Sequence, residues 1–284
     1  MSTSPPRSDT HSTEREHVGF GLSLSRLAQE SISERTPFKF HSASTESTVE
    51  ACDQVEPYLA LSHPRYSLIL TPARPTDFDV QTECLNDWSV TSQLIGPPYP
   101  YSREMAADWA NMKWEETRHV FNNWAKQVEQ EGDQVELEPI QQGLPFSTIR
   151  IQDTGEWIGE IGINRWIFRD VADVDERDRL KRENDERKVG DRELVWSFGY
   201  YLLPKYQGQG IMTAALASLI ESYYIPYLDA YTIRSSAFVD NVASVRVQEK
   251  CGLKQNGMRH WFEVSESRGG GKREECTLEW TREA

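Results

Sequence analysis

The stretch Tyr206–Thr213 contains residues whose types and spacing could bind phosphate groups. It reads YQGQGIMT, and Gly208 and Gly210 allow the backbone to turn so that several N–H groups point into one space. A helix is predicted to begin directly after it, and the first turn of a helix carries unpaired N–H donors and a partial positive charge. A pyrophosphate group fits such a place, although a simple tight turn would show the same two glycines.

Two other glycine-rich phosphate loops do not match this stretch. The dinucleotide-binding fingerprint G-x-G-x-x-G needs a third glycine, and position 213 is a threonine. The P-loop needs G-x-x-x-x-G-K-[ST], which the chain does not contain.

The loop lies between a predicted strand and a predicted helix. Residues 194–204 are almost entirely apolar, which is typical of a central strand. The helix after the loop has apolar residues spaced along one face, namely Met212, Leu216, Leu219, Ile220 and Tyr223. Residues 230–239 then predict another strand, followed by a short helix that ends at Gly252.

Further elements are predicted on both sides of this segment. They are a strand at residues 66–72, a helix from Thr76 to about Asn86, a helix opened by Ser102, a hairpin over residues 146–163, and strands near residues 258–264 and 274–280.

In this order the motifs resemble the Gcn5-related N-acetyltransferase (GNAT) family. The family loop [Q/R]-x-x-G-x-[G/A] falls on Gln207, Gly210 and Met212, with methionine at the position of the small residue. Residues 240–253 are similar to N-x-x-S-x-x-x-x-E-K-x-G-[FL], which is typical of the ribosomal-protein-alanine N-acetyltransferase branch. Gly199–Leu202 resembles the G-Y-W-L strand of that branch.

The resemblance covers roughly residues 66–282 and implies an α+β fold. The expected architecture is a central mixed, largely antiparallel sheet of about seven strands, splayed between strands four and five and flanked by helices. We expect a GNAT domain over residues 66–284 with charged insertions at about 126–145 and 169–193, the second being an exposed loop or a short surface helix. Residues 1–60 have few large apolar residues, which predicts a mostly disordered tail.

The resemblance also implies acetyl-CoA as the acetyl donor and direct attack by a neutral amine within a ternary complex. Backbone groups of the splayed strand would pair with the pantetheine arm, a backbone N–H near Leu202 would be the oxyanion donor, and the loop N–H groups would hold the pyrophosphate. The residues assigned to acetyl-CoA are Tyr201, Leu202, Leu203, Gln207, Gly208, Gln209, Gly210, Ile211, Met212, Thr213, Asn241 and Ser244.

The leaving thiolate needs a proton or a strong hydrogen bond. Many relatives carry a tyrosine seven positions after the asparagine, but that position is Gln248 here. Ser244 is the candidate acid, because the alanine-acetyltransferase branch has serine at this position; helix capping is its alternative role.

A general base could be a carboxylate near the acceptor amine. Glu160, on the second strand of the hairpin, and Glu193, before the central strand, are the acids that we nominate, and both could also be ordinary surface glutamates. His260 and His119 are weaker candidates.

Composition limits the other possibilities. The net charge of −14 argues against binding to nucleic acid. No apolar run reaches the roughly 20 residues that span a bilayer, and the N-terminus has no secretory h-region, so we expect a cytoplasmic protein, with the nucleus possible. The cysteines at positions 52, 84, 251 and 276 lack C-x-x-C spacing, so no metal site is expected.

The leading hypothesis is an acetyl-CoA-dependent N-acetyltransferase for a primary amine, with a protein N-terminus as one possible acceptor. A polyamine, amino acid or antibiotic acceptor is the alternative enzymatic function. A non-catalytic acyl-CoA-binding protein is a third reading, which Met212 and Gln248 favour. No sequence pattern fixes the acceptor or the oligomeric state.

Overall fold

The structure is a computed structural model that describes residues 21–42, 54–132 and 136–282. The strands are β1 (Leu22–Ser23), β2 (Phe38–Ser42), β3 (Gln54–Leu61), β4 (Leu68–Thr71), β5 (Thr148–Ile151), β6 (Trp157–Arg165), β7 (Val195–Leu202), β8 (Thr232–Phe238), β9 (Lys254–Glu263) and β10 (Lys272–Thr281). The helices are α1 (Arg26–Arg35), α2 (Phe78–Asn86), α3 (Trp88–Thr91), α4 (Arg103–Glu131), α5 (Val174–Glu186), α6 (Ile211–Leu219) and α7 (Val242–Lys250).

Within the described residues, the ten strands form one sheet with the order β1-β3-β4-β5-β6-β7-β8-β10-β9, and β2 pairs with β3. The paired strands are antiparallel except β7 and β8, which are parallel. This is the mixed, largely antiparallel α+β sheet that the sequence predicts. Strands β4–β10 are the seven expected ones, and β1–β3 extend the sheet.

The sheet splays between β7 and β8, which are the fourth and fifth of the seven expected strands. These two strands pair only at Val195↔Thr232 and Trp196↔Ile233, although β7 continues to Leu202 and β8 to Phe238. The carboxyl halves of both strands therefore have no ladder between them. Helix α6, which connects β7 to β8, begins at the open end of this gap.

The chain before Tyr66 differs from the expected disordered tail. Residues 21–42 and 54–61 form α1 and three strands, and most of their few large apolar side chains, such as Leu22, Ile32 and Phe38, are buried. The Phe38 ring meets Phe121 at 5.4 Å between ring centroids. The composition of residues 1–60 is dominated by polar residues, so it does not indicate that a few widely spaced apolar side chains are buried. The remainder of this tail, residues 1–20 and 43–53, lies outside the described residues.

The two charged insertions take different forms. Helix α4 continues through the start of the first one to Glu131, and Val128 and Ile140 are buried, so this stretch is less solvated than expected. The second insertion contains α5, which is the surface-helix alternative. Its buried Asn184 donates to the backbone oxygen of Val195 at 2.9 Å, and this bond anchors α5 beside β7. None of the described helices is long and apolar enough to span a membrane.

Candidate active site

A cavity of about 1260 Å³ occupies the splay between β7 and β8 and continues beneath α2, α3 and α4. Most of the predicted site residues line it. They are Glu160, Tyr201, Leu202, Gln207, Gly208, Gly210, Ile211, Met212, Thr213, Asn241 and Ser244. Leu203, Gln209 and Glu193 are not part of its wall as described.

The loop before α6 has the conformation that its glycines allow. Gly208 has φ of 70° and Gly210, the N-cap of α6, has φ of 82°. Both lie in the left-handed region, which β-branched and bulky residues rarely adopt. Because the first backbone bond of α6 runs from the Ala214 N–H to the Gly210 oxygen, the N–H groups of residues 211–213 have no partner within the helix. These donors face a cavity that can admit a phosphate group.

The side chains of this loop brace it from outside. Gln209 accepts a 2.8 Å hydrogen bond from the Tyr66 hydroxyl and donates to the Lys205 oxygen, which turns its side chain away from the cavity. Met212 is buried in the main core, so its side chain packs inward while its N–H stays in the first turn. The methionine is thus compatible with the phosphate-loop backbone.

The free backbone groups of β7 are fewer than the sequence analysis expects. The Leu203 N–H donates to the Ile158 oxygen at 3.0 Å, and Tyr201 lies opposite Glu160 in the same ladder. Because hydrogen-bonded and non-hydrogen-bonded pairs alternate along an antiparallel ladder, the backbone groups of Tyr201 and Leu203 face β6. Leu202 faces the splay, where its oxygen accepts from Gln207 Nε2 at 3.0 Å. Of the three residues expected to bind the pantetheine arm through their backbone, Leu202 is therefore the one whose N–H is left to a ligand on this edge.

Asn241 and Ser244 lie at the start of α7, across the splay from β7. Asn241 Oδ1 accepts from the Ser244 N–H at 3.1 Å and caps the helix. The Ser244 hydroxyl is 3.0 Å from the Tyr200 hydroxyl, and Gln248 Nε2 donates to it at 3.3 Å. The backbone N–H of Ser244 therefore donates to the capping side chain of Asn241. The Ser244 hydroxyl is not used for capping and belongs to a polar cluster at the cavity wall.

Glu160 lies in the cavity wall on β6 and is only 7% exposed. It accepts a 3.0 Å hydrogen bond from Gln81 Nε2, which is also 3.2 Å from the Tyr201 hydroxyl. Burial raises the pKa of Glu160 to about 7, while the bond with Tyr201 opposes that rise. A carboxyl group with this pKa can exchange a proton near neutral pH.

The structure does not bring the other nominated residues to this place. The Glu193 side chain is 76% exposed, pairs with Arg187, and precedes the end of β7 that lies away from the splay. His119 is exposed on α4 and contacts Asn123. His260 lies 2.5 Å from Glu275, and Glu275 rather than His260 lines the cavity. Glu193 is therefore withdrawn as a base.

Sequence reasoning missed Gln81, Tyr200 and the side chain of Tyr201. Gln81 did leave a signal, because it lies among Phe78, Cys84 and Leu85 on the buried face of α2. A polar side chain at such a position needs a buried partner.

In the described part of the chain, no group of three or more histidine, cysteine or acidic side chains is arranged to hold a metal ion.

Comparison with known proteins agrees with this architecture. A family model described as the acetyltransferase (GNAT) domain matches residues 67–254. The chain belongs to the GNAT acetyltransferase family and is an N-acetyltransferase. No curated protein matches.

Three solved structures align with most of this chain. The RimJ protein of Mycobacterium smegmatis, solved with CoA-disulfide, aligns with a TM-score of 0.51 and 18% identity over 79% of this chain and 86% of its own. A GNAT-family acetyltransferase from Bacillus anthracis aligns with a TM-score of 0.48 and 15% identity over 78% and 98%. The ribosomal-protein-S5-alanine acetyltransferase of Vibrio fischeri aligns with a TM-score of 0.46 and 13% identity over 78% and 96%. At 18% identity, the likeness to the RimJ protein describes the fold alone.

Proposed function

We propose that this protein transfers the acetyl group of acetyl-CoA to the α-amino group of a peptide or protein N-terminus, by direct attack in a ternary complex. The observation that carries this proposal is Glu160, a buried carboxyl group with a pKa of about 7 in the wall of the splayed cavity. The reaction needs a donor site, a base and a stabilised leaving group, and each is supported by a separate part of the cavity.

The donor site is the splay together with the phosphate loop. The N–H groups at the start of α6 would hold the pyrophosphate. The arm of acetyl-CoA would extend along the open edge of β7, where the Leu202 N–H can bind either a pantetheine amide or the developing oxyanion. Asn241, whose carboxamide oxygen caps α7, has its Nδ2 to donate toward the arm from the opposite side.

The chemical step begins with transfer of a proton from the acceptor ammonium to a Glu160 carboxylate oxygen. The neutral nitrogen then attacks the thioester carbonyl carbon, and the carbonyl electron pair moves to oxygen. Collapse of this intermediate re-forms the carbonyl and breaks the carbon–sulfur bond, and the sulfur leaves with the electron pair. The nitrogen loses its second proton as the amide forms, that proton neutralises the departing thiolate, and Glu160 returns its own proton to solvent. Ser244 would donate a hydrogen bond to the departing sulfur.

The pKa of the base favours an α-amino acceptor over an alkyl amine. An α-ammonium group has an ordinary pKa of about 7.7–8.0, so proton transfer to Glu160 costs about 1 kcal/mol. A lysine-like ammonium with a pKa near 10.4 makes the same transfer cost about 5 kcal/mol. The difference of about 3.5 kcal/mol would slow acetylation of the lysine-like amine several-hundredfold relative to the α-amine, unless another group compensated.

The acceptor half of the cavity has an apolar wall. Met105, Trp109 and Met112 lie on one face of α4, remain 39–44% exposed, and line the cavity. Exposed apolar side chains at i, i+4 and i+7 mark a binding surface, and methionine adapts to varied partners. This wall fits an amine that is attached to an apolar or small side chain.

A polyamine is less well matched to these walls. Lys113, Arg165 and Arg169 line the cavity along with Asp108, Glu160 and Glu275, so the wall has no excess of carboxylates for several ammonium groups. A polycation would be attracted only by a net acidic site. The small-amine function is therefore the second candidate, restricted to monoamines with an apolar body.

Release of free thiol from acetyl-CoA against a peptide library and an amine panel tests the proposal. We expect turnover with peptides that have a free N-terminus and none with the same peptides blocked at that end. Turnover confined to small amines would overturn the peptide acceptor. Absence of turnover with every acceptor, together with retained acetyl-CoA binding, would favour the non-catalytic function.

A further inference from the structure

Three polar side chains meet at the cavity wall where β7 faces α7. Tyr200 extends from β7 across the splay, and its hydroxyl lies 3.0 Å from Ser244 Oγ and 3.2 Å from the Ser244 backbone oxygen. Gln248 comes one turn after Ser244 on α7 and donates its Nε2 hydrogen to the same Oγ at 3.3 Å. All three residues line the cavity.

The hydrogen bonds at Ser244 Oγ fix the direction of its own hydrogen. A serine hydroxyl has one donor and two acceptor sites. Gln248 Nε2 donates to one acceptor site. The Tyr200 hydroxyl lies nearer to Ser244 Oγ, at 3.0 Å, than to the Ser244 backbone oxygen, at 3.2 Å, and a tyrosine hydrogen directed at Oγ fills the other acceptor site. With both lone pairs taken by donors, the serine hydrogen is left to point into the cavity.

Gln248 has a further property that a purely structural amide would not need. The residue is 1% exposed, and its Oε1 has no hydrogen-bond partner within the described part of the chain. A buried unpaired amide oxygen is costly, and a hydrophobic side chain of similar length would avoid that cost. The hydrogen bond from Gln248 Nε2 to Ser244 Oγ is therefore the contact that gives a buried amide a role at this position.

Neither neighbour supplies a proton itself. Burial raises the pKa of Tyr200 to about 12, and burial raises that of Cys251, the other titratable group beside it, to about 11. Both stay protonated at neutral pH. The Cys251 thiol donates to the Thr213 oxygen and takes no part in the cluster, whereas the Tyr200 hydrogen can polarise the Ser244 hydroxyl and strengthen its donation.

We propose that Tyr200 and Gln248 are positioning residues that turn the Ser244 hydroxyl into a hydrogen-bond donor for the sulfur of CoA. This inference rests on the proposed function, since it assumes that the sulfur lies at this wall. Many relatives carry a tyrosine at the position of Gln248, and here the cluster of Tyr200, Ser244 and Gln248 would stabilise the leaving thiolate in its place, with Ser244 as the residue that contacts the sulfur.

The pKa of the thiol of bound CoA tests this inference without any acceptor. The thiolate absorbs in the ultraviolet, so the bound thiol can be titrated in the wild type and in Ser244→Ala, Tyr200→Phe and Gln248→Met. We expect each variant to raise that thiol pKa, by about one pH unit for Ser244→Ala and by less for the other two. In the Ser244→Ala background, Tyr200→Phe and Gln248→Met should have no further effect.

Tyr223→Phe is the matched control, because its buried hydroxyl also donates to a backbone oxygen, that of Gly143, away from the cavity. It should leave the thiol pKa unchanged. An unchanged thiol pKa in both Tyr200→Phe and Gln248→Met, with CoA still bound, would overturn the inference. So would an unchanged value in Ser244→Ala. Acetyl transfer to amines is measured separately, so the proposed function is judged on its own result.

Discussion

At the residue scale, the site depends on how the fold shifts the chemistry of single side chains. Glu160 is an ordinary glutamate in the sequence, and the hairpin gives no sign of its burial beside Gln81 and Tyr201. Its position on the second hairpin strand could be predicted from the alternation of residues, but its pKa could not. That value depends on α2 and β7, which cover the carboxyl group from distant parts of the chain.

The pH dependence of kcat/KM follows from this pKa. Glu160 must be ionised to accept a proton, so kcat/KM should rise about tenfold per pH unit below pH 7 and level off above it, until the acceptor itself titrates. Glu160→Gln should lower kcat by about a hundredfold or more and shift the end of this rise from about pH 7 to the pKa of the acceptor amine, about 7.7–8.0. A pH–rate profile of both proteins checks this, and an unaltered profile in the variant would remove Glu160 as the base.

The same residue should destabilise the folded protein at high pH. Burial disfavours the carboxylate, and the pKa is raised in the folded state, so stability is lost as pH rises from the unfolded pKa through about 7. Glu160→Gln removes this cost and should raise Tm by roughly 5 °C at pH 8 and by much less at pH 5. Thermal melts at the two pH values measure the difference. A variant with lower Tm at pH 8 would contradict it.

At the element scale, local pattern predicted the strand–loop–helix unit of β7, residues 206–210 and α6, because its signals lie close together in the chain. The hydrogen-bond pattern between β6 and β7 could not be predicted from the sequence of β7. The sequence predicts free backbone groups at Tyr201, Leu202 and Leu203, whereas in the β6–β7 ladder only Leu202 of these three faces the open edge. Which edge of a strand is open depends on the strands that pair with it, and the residues of a single strand do not identify those partners.

The phosphate loop should fail when Gly210 is replaced by valine. No atom lies within 4 Å of an added Cβ, so the cost is the left-handed backbone, with φ of 82°, and not a clash. Wild-type protein should gain about 2.7 kcal/mol of stability at acetyl-CoA concentrations 100 times Kd, and Gly210→Val should gain almost none.

Gly257 provides the matched control. It has the same φ of 82°, equally open surroundings, and no place in the cavity wall as described. Gly257→Val should lose a similar amount of stability without ligand yet keep its full response to acetyl-CoA in thermal denaturation. An intact response in Gly210→Val would mean that residues 206–210 form only a turn.

At the scale of the whole molecule, the domain is larger than its motifs. The family model begins at residue 67, but β1–β3 and α1 complete one face of the core. Their apolar residues are few and widely spaced, so composition predicted disorder, while the tertiary contacts of Phe38 with Phe121, Phe146 and Tyr223 stabilise them. These contacts join residues that are from 83 positions (Phe38 to Phe121) to 185 positions (Phe38 to Tyr223) apart, and periodicity does not detect such long-range contacts.

Phe38→Ala should therefore destabilise the whole domain. Loss of a fully buried aromatic ring costs about 3–5 kcal/mol. Leu27→Ala, at an exposed position of α1, should change stability by about 0.5 kcal/mol or less. Urea unfolding followed by tryptophan fluorescence separates the two, and equal effects would mean that this segment does not belong to the cooperative unit.

The central claim is that the cavity acetylates an α-amino group with acetyl-CoA as donor. The most direct measurement uses one peptide that carries both a free N-terminus and an internal lysine, with the site of acetylation located by fragment-ion mass spectrometry. Because Glu160 matches the pKa of the α-amine, the account predicts acetylation at the N-terminus and none at the lysine. Acetylation at the lysine, with the N-terminus left free, would contradict it.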